Sequence, residues 1–379
     1  MALSTLVVGG GIGGLSLARE LARRKLPVTV LERARRVDPV GAGIIMNPNA
    51  MRVLERNGLA DAVRANSWPY LRRETRDRHG RVLAERDYRP LYDAGKLAVG
   101  ALVHRAHLHD VLFGGIEKGV VRFGTAVEKI RVSSRRVQAV AGGQVLEADV
   151  LVGADGIHST VRRHLSGEVA PVYMGYRSHR VVVDNAAGVD CFTELLGRGQ
   201  RIGLVPIAPG RIYIWTTFNS GRNAAPVLKS ADEFRAMFAQ FTDPRVVKLF
   251  AQLRSADEII TTAVEELCEE RWYAGRVALL GDAVHAMTPN IGQGAGMAME
   301  DAAVLAEELA GGGAVEDCFR RYSEKRKPRV ETIVRVSRQV GEEGQLSGII
   351  GCWRRNRRVA RAGRDAAKAQ ADLERLLTY

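Results

Sequence analysis

The stretch Leu6-Val7-Val8-Gly9-Gly10-Gly11-Ile12-Gly13-Gly14-Leu15 decides the fold. Leu6 to Val8 reads as a short buried strand, Leu15 to Arg24 as a helix, and Val28-Thr29-Val30-Leu31 as the next parallel strand. This is a βαβ unit with G-x-G-x-x-G at Gly9, Gly11 and Gly14. Gly9 permits the tight strand-to-helix turn, Gly11 lets a pyrophosphate approach the backbone, and Gly14 lets helix and strand pack closely; Gly13 lies in the same turn. The helix N-terminus then offers free N–H groups and partial positive charge to phosphates. Glu32 ends the second strand, 18 residues beyond Gly14, where a carboxylate can accept hydrogen bonds from a ribose diol; Arg33 adjoins it. An acid there favours an unphosphorylated ribose, hence FAD or NAD rather than NADP.

Two later motifs choose between those cofactors. Ala148 to Val152 is an apolar strand that ends in Gly153-Ala154-Asp155-Gly156, with Ser159 and Arg162 on the helix after it. Val277-Ala278-Leu279-Leu280 is another buried strand, closed by Gly281-Asp282. A carboxylate at that strand end is placed to hold a ribityl hydroxyl. Pro289-Asn290-Ile291-Gly292-Gln293-Gly294-Ala295 leads into a helix expected to begin near Met297. A helix N-terminus aimed at the flavin N1/O2 edge would stabilise the negative charge of a reduced flavin. NAD has no ribityl chain and needs neither feature, so FAD is the better reading.

These three motifs, in this order, make the chain resemble the single-component FAD-dependent aromatic hydroxylases, the p-hydroxybenzoate hydroxylase-like family, over roughly residues 3–340. Gly41-Ala42-Gly43-Ile44 resembles that family's loop under the isoalloxazine. Arg105 matches its arginine near the FAD phosphates and ribose. Tyr322 and Arg326 fall on the helix that follows the cofactor domain. Within the family, the run from His285 through Asp301 and the block Gly199 to Gly203 followed by Tyr213 are most similar to 2-heptyl-4-quinolone 3-hydroxylases, then to urate hydroxylases. The resemblance implies reduction of FAD by NADH or NADPH, activation of O2 at flavin C4a, and transfer of one oxygen to an electron-rich ring. It implies that Pro289 lies beside the flavin and fixes the backbone there. It also implies that nicotinamide binds transiently, with Asp155-Gly156 serving both nucleotides, since no second G-x-G-x-x-G unit is present. Other readings stay open: an epoxidase acting on an alkene or prenylated indole, a urate hydroxylase-like enzyme, or a flavin redox sensor without turnover. A halogenase is disfavoured, because G-x-W-x-W-x-I-P is absent.

The expected fold class is α/β. A discontinuous Rossmann-like FAD-binding domain takes residues 1–70, 98–165 and 262–335. An inserted antiparallel-sheet substrate domain takes 71–97 and 166–261, and a C-terminal helical basic tail takes 336–379. In the inserted domain Arg180 to Val183, Arg201 to Val205 and Arg211 to Phe218 read as strands, with Pro209-Gly210 as a hairpin turn. Ser230 to Gln240 reads as a surface helix. Leu204, Val205, Ile212, Ile214, Trp215 and Phe218 make an apolar pocket plausible, although alternation sends only about half to one face. Arg201 is the leading polar candidate: its guanidinium can bind a substrate oxygen or enolate, or it can be a strand-end surface arginine or the partner of an acid. Tyr213 can support Arg201, touch substrate, or fill the core. Asn47 is a candidate to present its amide to the pocket.

At 379 residues, 46% hydrophobic and 26% charged, the chain can bury a substantial two-lobe core. No signal segment or run of about 18 apolar residues is visible, so a cytoplasmic protein is expected. Four scattered cysteines without a C-x-x-C pair indicate neither a metal site nor a disulfide framework. Much of the net charge of +13 comes from arginines after Trp353. That segment reads either as a solvated basic face or as an anchor for acidic lipid or an anionic partner. Leu346, Ile349, Ile350 and Trp353 share helical spacing, whereas Gly348 and Gly351 weaken one continuous helix. No nucleic-acid recognition motif is present. The expected partner is a small aromatic molecule.

Overall fold

A computed structural model describes residues 2–36, 42–224, 228–365, 371, 374 and 376–378; Gly41 of the expected flavin loop lies outside them. The βαβ unit forms as read: strand Thr5–Val8, helix Ile12–Arg23, strand Val28–Leu31, with Thr5 opposite Val28 in parallel. A β-carbon on Gly14 would sit 1.9 Å from the Gly9 carbonyl oxygen, so only glycine allows the helix to start this close to the strand. Thr5–Val8 is central in a six-stranded sheet, flanked by Val28–Leu31 and Val121–Arg122 on one side. On the other side lie Val150–Gly153, Val277–Leu279 and Tyr273–Ala274. All pairs are parallel except the last. Near-continuous apolar strands are what a sheet covered on both faces requires. Helices Ile12–Arg23, Gly294–Gly311 and Val315–Gly344 and a small antiparallel sheet of Val127–Val132, Val137–Ala141 and Gln144–Ala148 contribute to its core.

The second large sheet has seven strands in the order Ile260–Glu266, Val172–Asp184, Arg211–Asn219, Gln200–Ala208, Phe192–Leu196, Arg72–Asp77 and Val82–Asp87. It is not wholly antiparallel: Phe192–Leu196 pairs in parallel with Arg72–Asp77. Strand Arg72–Asp77 reaches the sheet from an earlier stretch of chain, so no hairpin constrains its direction. One face packs under helices Ala231–Met237 and Pro244–Phe250 through Phe234, Phe238 and Phe250. The first of these is capped by Ser230 and is shorter than the helix expected to reach Gln240. A three-stranded sheet of Gly43–Met46, Ala101–His104 and Ser67–Pro69 shares a core with helices Ile12–Arg23 and Gly294–Gly311 through Met46, Ala101 and Val103, and another with the seven-stranded sheet through Leu102.

The boundary expected at 335/336 falls inside one helix, Val315–Gly344, which continues despite Pro328. A final helix, Ile349–Ala362, starts after Gly348 at its N-cap and includes Gly351. Gly348 therefore separates the two helices, and Gly351 does not interrupt the second. Among the described residues no helix is long and apolar enough to cross a membrane.

Candidate active site

A cavity of about 530 Å³ runs between the two large sheets. Its cofactor-motif wall is built from Gly11, Gly13, Gly43, Arg105, Gly156, Gly281, Asp282, Pro289, Asn290, Gly292, Gly294 and Ala295. The opposite wall is one face of the seven-stranded sheet. Strand register sets that face in rows: Ser178, Thr217 and Arg201; Arg180, Trp215 and Gly203; Val182, Tyr213 and Val205. Side chains alternate along each strand, so Leu204, Ile212, Ile214 and Phe218 turn into the opposite core. Of the six apolar residues expected at a pocket, only Val205 and Trp215 share the cavity face. Two glycines admit the aromatic rings. A β-carbon on Gly203 would lie 2.0 Å from the Trp215 indole, and one on Gly43 2.3 Å from the Tyr213 ring.

Arg201 is buried, with 1% of its surface exposed. Its Nη1 donates to Glu194 Oε1 at 3.2 Å, its Nε to Gln345 Oε1 at 3.2 Å, and its Nη2 to Asn290 Oδ1. Glu194 also accepts from Arg73. Burial would raise the Glu194 pKa; the guanidiniums of Arg73 and Arg201 reverse that and hold it below the usual carboxylate range. Asn290 donates its amide to Tyr176 Oη and to the Ser337 carbonyl, each at 2.9 Å. Arg201 is thus clamped to the residue after Pro289. Burial pushes the Tyr213 phenol up to about 12, with Arg180 and Arg105 partly opposing the shift.

The cofactor motifs divide into residues that face the cavity and residues that hold others in place. Asp282 is exposed into the cavity, and its carboxylate has no hydrogen-bond partner among the described residues. Desolvation raises its pKa, opposed by the charges of His285 and Arg105. Behind it, buried Asp301 accepts from Gly281 N at 3.0 Å, His285 Nε2 at 2.6 Å and Arg326 Nε at 2.7 Å. Burial alone would raise Asp301; His285 and Arg326 bring it down to about 2. Tyr322 donates to the Leu279 carbonyl at 3.0 Å, tying the long helix to the same strand end. The Gly294–Gly311 helix begins three residues before the expected Met297.

Several expected site residues do not line the cavity. Glu32 accepts from Gly10 N at 2.6 Å and Ala34 N at 2.7 Å, while Arg33 is exposed. Asp155 caps the Thr160–Ser166 helix through Ser159 Oγ and Thr160 N, leaving Gly156 to face the cavity. Gly9, at φ +108°, makes the turn beneath. Asn47 was expected to reach the pocket. Instead it is buried at the N-cap of helix Pro48–Arg56, and its amide donates to the Gly292 carbonyl at 2.9 Å. It braces the glycine-rich loop because that carbonyl lacks a helical partner. The sequence reading missed Arg180, Ser178, Thr217, Glu194 and Gln345. Strand alternation could have put Arg180 beside Trp215; nothing local marks Gln345.

The donor set fits FAD. A β-carbon on Gly11 would meet nothing within 4 Å, leaving space against the first helix N-terminus. Asp282 is an unpaired acceptor for a polyol, and the Gly294 helix start supplies free N–H groups. The comparisons agree. The FAD binding domain family matches residues 2–337. The aurachin C monooxygenase/isomerase of Stigmatella aurantiaca is 33% identical over 97% of this chain and 96% of its own. The 2-heptyl-3-hydroxy-4(1H)-quinolone synthase of Pseudomonas aeruginosa is 31% identical over 93% of each chain. The crystal structure of Klebsiella pneumoniae HpxO with FAD and uric acid superposes with a TM-score of 0.89 at 27% identity, covering 99% of this chain and 97% of that one. The chain belongs to the FAD binding domain family and is a flavin-dependent monooxygenase.

Proposed function

We propose that this enzyme inserts one atom of O2 into an electron-rich aromatic or heteroaromatic ring, with NADH or NADPH as co-substrate, and that the ring sits between the 288–295 loop and the sheet face carrying Arg201, Trp215 and Tyr213. The observation that carries this reading is that one cavity is lined both by Pro289, Asn290, Gly292, Gly294 and Ala295 and by Arg201 and Trp215. In this reading residues 1–70, 98–165 and 267–335 hold FAD, and 71–97 and 166–266 hold the substrate; the boundary expected at 261/262 moves because strand Ile260–Glu266 belongs to the seven-stranded sheet. Gly11, Gly13 and the first helix N-terminus would take the pyrophosphate, Arg105 its charge, Asp282 a ribityl hydroxyl, and Gly292, Gly294 and Ala295 the pyrimidine edge. Glu32, Gly9, Gly14 and Asp155 support that cradle from behind, whereas Arg33 is exposed beside Glu32. When bound, FAD supplies electron transfer from the nicotinamide and activation of O2.

The chain's own residues do the rest. Trp215 offers a flat apolar surface for a ring. Arg201, held by Glu194, Gln345 and Asn290, presents a fixed cation that favours a substrate oxygen bearing negative charge, which enriches the ring in electrons. Burial raises the Tyr213 phenol to about 12, so at neutral pH it stays protonated, available as a hydrogen-bond donor to a substituent on the ring and not as a base. Pro289 shapes the backbone beside the flavin. The two relatives named for an aurachin and a quinolone favour a lipophilic, alkylquinolone-like substrate. The need for reduced nicotinamide supports a cytoplasmic enzyme, and its basic C-terminal segment supports peripheral contact with a membrane.

The test is NADH and NADPH oxidation by the purified flavoprotein against alkylquinolones, urate, hydroxybenzoates and a prenylated indole, with product masses. One compound should accelerate oxidation and gain one oxygen. A ring epoxide, or FAD with no stimulation by any ring compound, would count against hydroxylation. Arg201→Ala should retain FAD and raise KM; unchanged KM and kcat would remove Arg201 from the site.

A further inference from the structure

Four of the nine large hydrophobic side chains exposed among the described residues fall within eight positions: Leu346, Ile349, Ile350 and Trp353. Ile349 is 69% exposed, Ile350 67% and Trp353 56%. All but Leu346 stand on the final helix, Ile349–Ala362, at spacings that put them on one side. Arg354, Arg357 and Arg361 are exposed on the same helix, as is Arg358, which pairs with Glu343 Oε2 at 2.7 Å; the Arg357 guanidinium lies 4.7 Å from the Trp353 ring centre. From Leu346 to Arg364 the sequence contains no acidic residue. An apolar face with an interfacial tryptophan, on a helix whose exposed charges are arginines with Glu343 offsetting one of them, matches an anionic lipid surface in both polarity and charge.

The opposite face of this helix leads into the active site. Buried Arg355 donates to the Gly344 carbonyl at 3.2 Å and to the Gly197 carbonyl at 2.8 Å. Gly344 is pressed against Arg201: a β-carbon there would lie 2.6 Å from Arg201 Cδ. The next residue, Gln345, accepts from Arg201 Nε at 3.2 Å and from Thr217 Oγ1 at 2.7 Å, and donates to Asn219 Oδ1 at 2.8 Å. The Leu346 carbonyl accepts from Gly199 N at 2.8 Å, two residues before Arg201. Thus one short segment carries the exposed face and also holds the buried cation.

We propose that helix Ile349–Ala362 docks on an anionic lipid bilayer and that, through Arg355, Gly344 and Gln345, docking changes how Arg201 is held and hence the rate of flavin turnover. The proposal rests on the monooxygenase reading and adds a regulating partner to it. The segment's position between lipid and Arg201 makes the coupling direct, with no long-range relay.

The experiment uses full-length flavoprotein with vesicles of phosphatidylcholine alone or with phosphatidylglycerol. Binding is read by co-sedimentation. Turnover is read as basal NADH oxidation and peroxide release, which require no identified substrate. Wild type should bind the anionic vesicles at least tenfold more tightly than the neutral ones, and their addition should change basal turnover at least twofold. Ile349→Ser/Ile350→Ser/Trp353→Ser should lose binding and the vesicle response with its vesicle-free turnover unchanged. Gln345→Ala should still bind vesicles but lose the response. Equal binding to neutral vesicles, no binding, or concentration-dependent self-association through Trp353 would overturn the docking. Binding without any change in turnover would overturn the coupling. A protein that binds vesicles but retains no FAD would refute the monooxygenase reading instead.

Discussion

Adding one methyl group at Gly43 tests how the active-site wall is packed. The β-carbon of Gly43→Ala would lie 2.3 Å from Tyr213 Cδ1, 2.5 Å from Cγ and 2.6 Å from Cβ. Carbon atoms in contact rest about 3.5–4.0 Å apart, so the ring must retreat by roughly 1 Å or more. It has little room, because Tyr213 is 8% exposed and packs with Val205, Ile45 and Val182. Overpacking of this kind costs about 1–3 kcal/mol. Tyr213→Ala leaves a cavity instead and costs about 3–5 kcal/mol by analogy with other aromatic truncations. In the double variant the methyl no longer strikes the ring but still meets the β-carbon that Tyr213→Ala retains, 2.6 Å away, so its cost should fall without vanishing and the cycle should show a coupling of up to about 1–3 kcal/mol. Urea unfolding of the four proteins gives the energies, and the 450 nm absorbance of the same samples gives FAD content. Gly43→Ala should lose FAD along with stability, since strand Gly43–Met46 lines the cavity. A wild-type midpoint for Gly43→Ala, or strict additivity in the double variant, would refute the packing argument.

Asp282→Ala removes the unpaired cavity carboxylate and should weaken FAD binding by about 1–3 kcal/mol, measured by flavin titration of apoprotein; full occupancy would speak against Asp282 as a polyol ligand. Asp301→Ala leaves Arg326 and His285 buried without this shared carboxylate and should cost about 3–5 kcal/mol in denaturant unfolding; a loss below 1 kcal/mol would mean that the network relaxes around its absence. His179, stacked on Phe218 with ring centres 4.6 Å apart, is lowered by burial to about 4 against an ordinary 6.5. The unfolded chain therefore binds the extra proton first, so this contribution is present above pH 6.5 and is lost as pH falls towards 4, up to about 3 kcal/mol. His179→Phe should flatten the urea midpoint against pH over that window, and parallel curves for the two proteins would exclude the assignment.

The sequence alone determined the parts of this protein that depend on local backbone geometry. Gly9 and Gly14 specify a strand-to-helix turn that no larger residue makes, and apolar runs such as Val150 to Val152 specify strands buried on both faces. The cofactor cradle follows, because it is built largely from backbone N–H groups at strand ends and helix starts. Even there the side chains were less legible than the motif: Asp155 caps a helix, and Asn47 braces a loop. Only the tertiary structure decided which side chains of the seven-stranded sheet face the cavity. Whether Trp215 or Ile214 faces the flavin loop depends on register across three strands, and a shift of one residue would exchange them. Arg201 could be read from the chain as a candidate, but its partners Asn290 and Gln345 stand 89 and 144 residues away. A buried charge is defined by whatever surrounds it, and those neighbours are set by how the last helices pack onto the second sheet rather than by any pattern along the chain.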